Sequence, residues 1–150
     1  MDADPYMARA LAEARKAAKR GEVPVGAVVV FAQENRIVAA AGNRVEELSD
    51  PTAHAEMLVL RYASKIMMAS RLTNCDLYVT LEPCSMCATA VSLARVRRLY
   101  FGAPDPKGGG VDHGPQIFTQ PTCHYRPEVY GGIGEIEASD LLKAFFQSRR

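Results

Sequence analysis

The segment LYVTLEPCSMC (residues 77–87) decides the fold, because an apolar strand pattern passes directly into the start of a helix. Residues 77–81 predict a short strand, and Pro83 is typical of a helix entrance. The helix continues to about residue 94, and residues 96–101 predict another strand with basic residues interleaved. A strand, a short helical crossover and a second strand predict a parallel pair in a sheet that is covered on both faces.

The rest of the chain predicts further helices and a hairpin. Asp4 before Pro5 is typical of an N-cap followed by proline at the first helical position, and helical apolar spacing extends to about residue 20, with Gly21 as a C-cap. The apolar runs 23–31 and 36–41 predict a hairpin whose first strand is buried on both faces. The remaining predictions are a polar loop over 43–51, a helix over about 52–70, a Gly- and Pro-rich surface loop over 102–125 and a last helix over about 138–148. The pattern therefore predicts one α/β/α domain over residues 1–150.

The composition is that of an ordinary globular protein. Of the 150 residues, 48% are apolar and 23% are charged. No stretch approaches the run of about 20 apolar residues that a membrane helix needs, and the acidic N-terminus does not lead into an apolar signal core. We therefore expect a cytoplasmic protein with no membrane partner. The net charge of +1 neither requires nor excludes nucleic acid, so an RNA-binding face would depend on local clustering of basic residues.

Three side chains with zinc-ligand chemistry occur at informative positions: His54, Cys84 and Cys87. Imidazole and thiolate suit zinc, and catalytic zinc sites use three protein ligands plus a water. Cys84 and Cys87 are three residues apart at a predicted helix start, so both can face one point, and the helix N-terminus favours their thiolate forms. No fourth donor has an obvious spacing, which favours a catalytic over a structural ion. The sequence predicts one Zn²⁺ per chain.

Glu56 lies two residues after His54, a spacing that on a regular helix would point the two side chains nearly opposite ways. They can converge if His54 occupies the first, irregular turn, and residues 50–52 supply the stop and cap signals that would place the turn there. A carboxylate beside a zinc-activated water, and not itself a ligand, fits a general acid/base. Glu56 is therefore the predicted catalytic residue.

These motifs also have other uses. A C-x-x-C pair occurs in structural zinc sites and in redox proteins, and an isolated H-x-E pair arises by chance. Besides a zinc hydrolase, the residues leave open a zinc-stabilised RNA-binding module without catalysis. They also leave open a disulfide oxidoreductase that uses Cys84 and Cys87.

The combination H-x-E and P-C-x-x-C is a known signature of zinc deaminases, and longer segments resemble the bacterial tRNA-specific adenosine deaminases. These segments are EVPVGAV (22–28), GNR (42–44), DPTAHAE (50–56), LYVTLEPCSMC (77–87), YFGA (100–103) and the closing Phe145-Phe146 with Arg149-Arg150. The resemblance covers nearly the whole chain. It implies a cytidine deaminase-like fold, in which three α/β/α layers are built around a central mixed, mostly five-stranded sheet.

The resemblance also implies the reaction. A homodimer would convert the wobble adenosine of a transfer RNA anticodon to inosine, with zinc-activated water attacking C6 of the flipped-out adenine and Glu56 moving the protons. The alternative substrate is a free base or nucleoside (guanine or cytosine) at the same zinc site.

The substrate-binding residues follow from the same resemblance. Asn43 is expected to hydrogen-bond the base, the backbone of Ala55 to help orient it and Val25 to form a pocket wall. From the residues alone, Asn43 after Gly42 is better explained by an ordinary turn, and only the resemblance favours a base contact. The implied RNA contacts are Asp105, Lys107, Phe145, Phe146 and Arg149.

Overall fold

The computed structural model describes residues 4–149, which contain five α-helices, two single-turn 3-10 helices (Ala32–Glu34 and Ile117–Thr119) and five strands. The predicted closing Arg150 and the first three residues lie outside the described part. The helices are α1 (Pro5–Lys19), α2 (Val45–Leu48), α3 (Ala55–Met67), α4 (Ser85–Ala94) and α5 (Glu135–Gln147), and the strands are β1 (Gly26–Phe31), β2 (Arg36–Gly42), β3 (Cys75–Leu81), β4 (Arg98–Ala103) and β5 (Glu128–Tyr130).

The five strands form one mixed sheet in the order β2-β1-β3-β4-β5. β1 is antiparallel to both β2 and β3, whereas β3, β4 and β5 are mutually parallel neighbours. The parallel β3–β4 pair expected from the strand–helix–strand pattern is confirmed. β1 is buried along nearly its whole length, as its valine-rich run predicts.

Helices cover both faces of this sheet. On one face α3 and α4 pack through a large core that includes Val59, Val79 and Val91, and on the other face α1 and α5 pack through a smaller core that includes Met7 and Leu11. The arrangement is the expected three-layer α/β/α sandwich. None of the helices in residues 4–149 is long and apolar enough to cross a membrane.

Two glycines let α1 approach the sheet closely. A Cβ on Gly26 would lie 2.6 Å from the backbone nitrogen of Ala14, and a Cβ on Gly42 would lie 2.7 Å from the carbonyl oxygen of Glu13. Any larger residue would push the helix outward, because backbone atoms cannot give way as a flexible side chain can.

The register brings several chain segments to one edge of the sheet. β3 and β4 are parallel and end there, at Leu81 and Ala103, so the loops that follow them leave from the same edge. β1 is antiparallel to β3, and its first residue Gly26 pairs with Gly42 at the end of β2. Val25, Asn43, Glu82 and the loop after β4 therefore lie at this edge.

The element boundaries differ from the sequence predictions mainly at loops and caps. Asp4 is the predicted N-cap, since its carboxylate accepts from the backbone nitrogens of Tyr6 (2.9 Å) and Met7 (3.1 Å). The helix predicted from Pro83 begins at Ser85 with Cys84 as its N-cap, so Pro83 precedes the cap. The last helix begins three residues earlier than predicted, because its first turn is acidic and its one large apolar side chain, Ile136, is exposed, so that burial begins only at Ala138.

Besides the two 3-10 helices, two short elements were not predicted. α2 lies inside the predicted polar loop, and β5 follows the long loop at the sheet edge. Both are four residues or shorter, and neither contains a fully buried residue, so neither leaves a hydrophobic period in the sequence.

Candidate active site

The three predicted zinc ligands come together at this sheet edge. The ligand atoms of His54, Cys84 and Cys87 all lie within 4.8 Å of one another. The Nδ1 atom of His54 is 3.7 Å from the Cys84 sulfur and 3.5 Å from the Cys87 sulfur. Adjacent ligands of a tetrahedral zinc ion are about 3.5–3.8 Å apart, given Zn–N and Zn–S bonds of about 2.1 and 2.3 Å. The donor types and their spacing therefore both fit zinc.

Two helix N-termini hold this cluster. His54 is the N-cap residue of α3 and Cys84 is the N-cap residue of α4, both with extended backbone, and neither side chain caps its own helix. His54 therefore occupies the irregular entry to the helix, as its spacing from Glu56 predicts. Because the helix ends carry partial positive charge, they favour the thiolate forms that zinc binding requires.

The cysteine pair is polarised by its own contacts. A hydrogen bond with Cys87, joined by interactions with His54, lowers the pKa of the Cys84 thiol to about 4, although burial opposes this. The interaction with Cys84, together with burial, raises the pKa of Cys87. His54 is also affected, since its contact with Cys84 raises its pKa. One thiolate is thus present at neutral pH before any metal binds.

Glu56 lies next to the cluster and is almost fully buried. Burial raises the pKa of its carboxyl to about 7, and the neighbouring His54 opposes that shift. A carboxyl group with such a pKa exchanges a proton readily at neutral pH, which is the property that a general acid/base needs. This environment agrees with the role predicted from the H-x-E spacing.

The cluster opens into a cleft of about 720 Å³. Its lining includes the predicted residues Val25, Asn43, Asp105, Phe145 and Arg149, beside Glu56 and two of the three metal ligands, His54 and Cys84. The cleft therefore contains both the metal cluster and most of the residues that the resemblance assigned to the substrate.

Asn43 is positioned by the start of α3. Its Oδ1 atom accepts a hydrogen bond of 2.8 Å from the backbone N–H of Ala55, which is fully buried. The N–H of Ala55 is thus already engaged with Asn43. In this structure the N–H of Ala55 orients the Asn43 side chain. The backbone of Ala55 would therefore influence a bound base through Asn43.

The remaining predicted RNA contacts lie at the rim. Lys107 and Phe146 line an adjoining cleft that shares Asp105 and Arg149 with the first one. Phe146 is about half exposed, whereas Phe145 lies partly buried beneath the Arg149 guanidinium, whose carbon is 4.1 Å from the ring centroid. The two adjacent phenylalanines therefore have different surroundings.

Two buried glutamates in the cleft wall were not identified from the sequence. Glu22 accepts from the backbone nitrogens of Glu46 (3.1 Å) and Glu47 (2.8 Å) and so holds α2 beside the cleft. Glu82 accepts from several groups of the loop after β4, including the N–H of Asp105 at 2.9 Å. An acidic residue directly at a strand end, as in Leu81-Glu82-Pro83, was the available signal.

The ionisation of Glu82 follows from these contacts. Burial by itself would raise its pKa, but the N–H of Asp105, the His113 ring and the N–H groups of Asp112 and Val111 together outweigh it and lower the pKa. Glu82 is therefore an anion at neutral pH despite its burial, because donors on the loop replace water around it.

Comparison with known proteins agrees with this geometry. Residues 1–103 match the family model described as the cytidine and deoxycytidylate deaminase zinc-binding region. The chain is 54% identical over 145 residues to the tRNA-specific adenosine deaminase of Agrobacterium fabrum, a match that covers 97% of this chain and 94% of the relative.

Solved structures show the same fold. One, from studies of A-to-I editing by tRNA:A34 deaminases at the wobble position, has a TM-score of 0.89 and 55% identity and covers 91% of this chain and 98% of its own. The guanine deaminase of Nitrosomonas europaea has a TM-score of 0.81 at 24% identity, covering 97% of this chain and 86% of its own, which shows a likeness of fold.

Proposed function

Because the chain belongs to the cytidine and deoxycytidylate deaminase zinc-binding family, we propose that it converts the wobble adenosine of a transfer RNA anticodon to inosine by hydrolytic deamination. The observation that carries the chemistry is the convergence of His54, Cys84 and Cys87 beside the buried Glu56. The substrate is supported by similarity along nearly the whole chain to tRNA-specific adenosine deaminases. The chain acts as one domain, with both motifs contributing to a single cleft.

The chain's own residues divide the reaction between them. His54, Cys84 and Cys87 would hold the zinc ion, which when bound would act as a Lewis acid and make water a usable nucleophile at neutral pH. Glu56 takes a proton from the attacking water and returns one to the amino nitrogen that leaves C6, so that water and adenosine give inosine and ammonia. Its raised pKa suits a group that must both accept and donate a proton.

Asn43 and Val25 hold the base beside this proton carrier. The Oδ1 atom of Asn43 is committed to Ala55, so the Nδ2 group is the one that donates to the base. Val25 is almost fully buried in the cleft wall and offers an apolar surface to the purine ring. A base flipped out of its stack regains hydrogen bonding and packing from such a pocket.

The RNA flanking the target is held at the rim. Lys107 and Arg149 provide positive charge for phosphates, and the half-exposed ring of Phe146 offers a stacking surface for an unpaired base. Asp105 and Phe145 form the part of the rim nearest the cleft. These side chains have no role in the deamination of a free base, so they favour a polynucleotide substrate.

A homodimer is the proposed assembly, formed through the outer face of α3 and α4. Exposed apolar side chains lie on or beside this face, away from the sheet: Tyr62, Ile66, Met68 and Leu93. Burial of such side chains against a second copy would remove apolar surface from water.

We place the protein in the cytoplasm, where its transfer RNA substrate is found. The four free cysteines also fit that compartment, because it is reducing.

The decisive experiment offers the zinc-loaded protein an anticodon stem-loop, free adenine, adenosine, guanine and cytosine, and measures the inosine or other deaminated product. We expect inosine at the wobble position of the stem-loop and little turnover of the free compounds. A stem-loop with guanosine at the wobble position is the matched control. Turnover of a free base without turnover of the stem-loop would replace this proposal with the free-base alternative.

A further inference from the structure

Glu82 is the centre of a hydrogen-bond cluster at the cleft wall. Its side chain is fully buried, and one short stretch of the loop after β4 surrounds both of its oxygens. Its Oε1 lies 2.9 Å from the backbone nitrogen of Asp105 and 2.8 Å from Nδ1 of His113, and its Oε2 lies 3.2, 2.9 and 3.1 Å from the backbone nitrogens of Val111, Asp112 and His113.

The same loop packs directly against the start of α4, the helix that carries Cys84 and Cys87. The backbone N–H of Gly110 donates to the carbonyl oxygen of Pro83 at 2.8 Å, and a Cβ on Gly110 would lie 2.6 Å from the backbone nitrogen of Ser85. A Cβ on Gly109 would overlap the Oε2 atom of Glu82. The two glycines therefore permit a contact that no other residue type allows without movement.

This contact fixes both ends of the part of the loop that reaches the cleft. The N–H of Asp105 is held at its start and the N–H groups of residues 111–113 at its end, while Oδ1 of Asp105 accepts from the backbone nitrogens of Lys107 (3.2 Å) and Gly108 (3.0 Å) in between. The backbone N–H of Lys107 is bonded to Asp105 and not to the sheet. The position of its side chain at the rim therefore depends on Glu82 and Asp105.

We propose that Glu82 is a positioning residue that fixes loop 104–113 against the start of α4. Held in this place, the loop selects a polynucleotide over a free nucleoside. The inference rests on the proposed function, since it assigns Asp105 and Lys107 to RNA. Glu82 is not one of the three metal ligands, and both of its oxygens are engaged by the loop, so it acts through the loop. Its loss therefore weakens binding of the stem-loop more than it slows the chemical step.

The test compares Glu82→Gln with the parent and with Asp76→Asn. Asp76 is a buried carboxylate on β3, six residues before Glu82, which directly follows that strand, and it accepts 2.9 Å and 2.8 Å bonds from Arg97 Nε and Nη2. Its replacement breaks a comparable network about 20 Å along β3 from Glu82, at 3.3 Å per residue. The Asp76→Asn variant is thus a matched control for general loss of stability.

Three quantities are measured: zinc per chain, amide exchange of the loop, and steady-state kinetics on the stem-loop. For Glu82→Gln we expect unchanged zinc content and faster exchange at Asp105 and residues 111–113. We also expect KM to rise by about 10-fold or more with a nearly unchanged kcat, since displacement of a positioned group by about 1 Å can cost up to about 100-fold. Asp76→Asn should unfold earlier and keep the parent KM and loop exchange.

Other results overturn the proposal. If Glu82→Gln loses zinc, the substitution acts on the metal site and not on the loop. If its KM and its loop exchange both equal those of the parent, Glu82 does not position the loop. If the glutamine variant does not fold, Gly109→Ala displaces the loop from the opposite side and should raise KM in the same way with zinc retained. A parent protein inactive on the stem-loop would refute the proposed function, whereas loop exchange would still decide how Glu82 acts.

Discussion

Replacing Asn43 separates two roles of one side chain, because its oxygen and its nitrogen serve different partners. The oxygen accepts a hydrogen bond from the first N–H of α3, that of Ala55. The N-cap residue His54 makes no such bond, because its ring faces the two cysteines. The amide nitrogen is the group proposed to donate to the base. Asn43→Ala removes both functions, whereas Asn43→Asp keeps an acceptor for the helix and removes the donor.

The expected magnitudes follow from burial. In Asn43→Ala the buried N–H of Ala55 loses its partner, which costs about 1–3 kcal/mol of unfolding free energy. At about 2 kcal/mol, the melting temperature of a chain of this size falls by roughly 4–8 °C. In Asn43→Asp the carboxylate lies at a helix N-terminus, where negative charge is favourable, so stability should stay within about 1 kcal/mol of the parent.

Activity should respond differently from stability. Both variants lack the donor to the base, so kcat/KM on the stem-loop should fall by about 10-fold to 100-fold in each, as expected for an unpaired buried polar group. Thermal unfolding followed by circular dichroism and inosine formation at the wobble position measure the two effects. A fully active Asn43→Asp enzyme would refute base donation, and parental stability of Asn43→Ala would refute the helix-capping role.

Three further predictions concern the proton carrier, the metal and the assembly. Glu56→Gln should keep one zinc per chain and lose deamination by about 10²- to 10⁴-fold, and activity equal to the parent would remove Glu56 from the mechanism. Removal of zinc with a chelator should abolish deamination and lower the melting temperature, because His54, Cys84 and Cys87 then lose the cation that links α3 to α4; unchanged stability would argue against a bound metal. Ile66→Arg on α3 should convert a dimer to a monomer in light scattering, with Arg71→Glu as a charge-changing control, and an unaltered mass would move the interface elsewhere.

The sequence predicts the metal site better than the cleft around it. His54, Cys84 and Cys87 are identified by donor chemistry and by spacing near helix starts, which are local properties. Glu82 is different, because its partners follow it by more than 20 residues and are mostly backbone N–H groups. Backbone donors have no residue identity, so no sequence pattern marks them.

The fold shows the same division. The long buried elements have a clear apolar period and were predicted, including the β1 run and the β3–α4–β4 crossover. The short α2 depends on Glu22, whose carboxylate accepts from its first turn across a separation of more than 20 residues. Elements that exist through a distant partner cannot be predicted from their own composition.

The placement of the metal ligands at two helix N-termini has a consequence for how the protein can change. His54 and Cys84 belong to elements fixed by the core, whereas the residues proposed to select the substrate belong mainly to connecting loops and to the end of α5. Substitutions that alter substrate choice can thus accumulate without disturbing the hydrolytic apparatus.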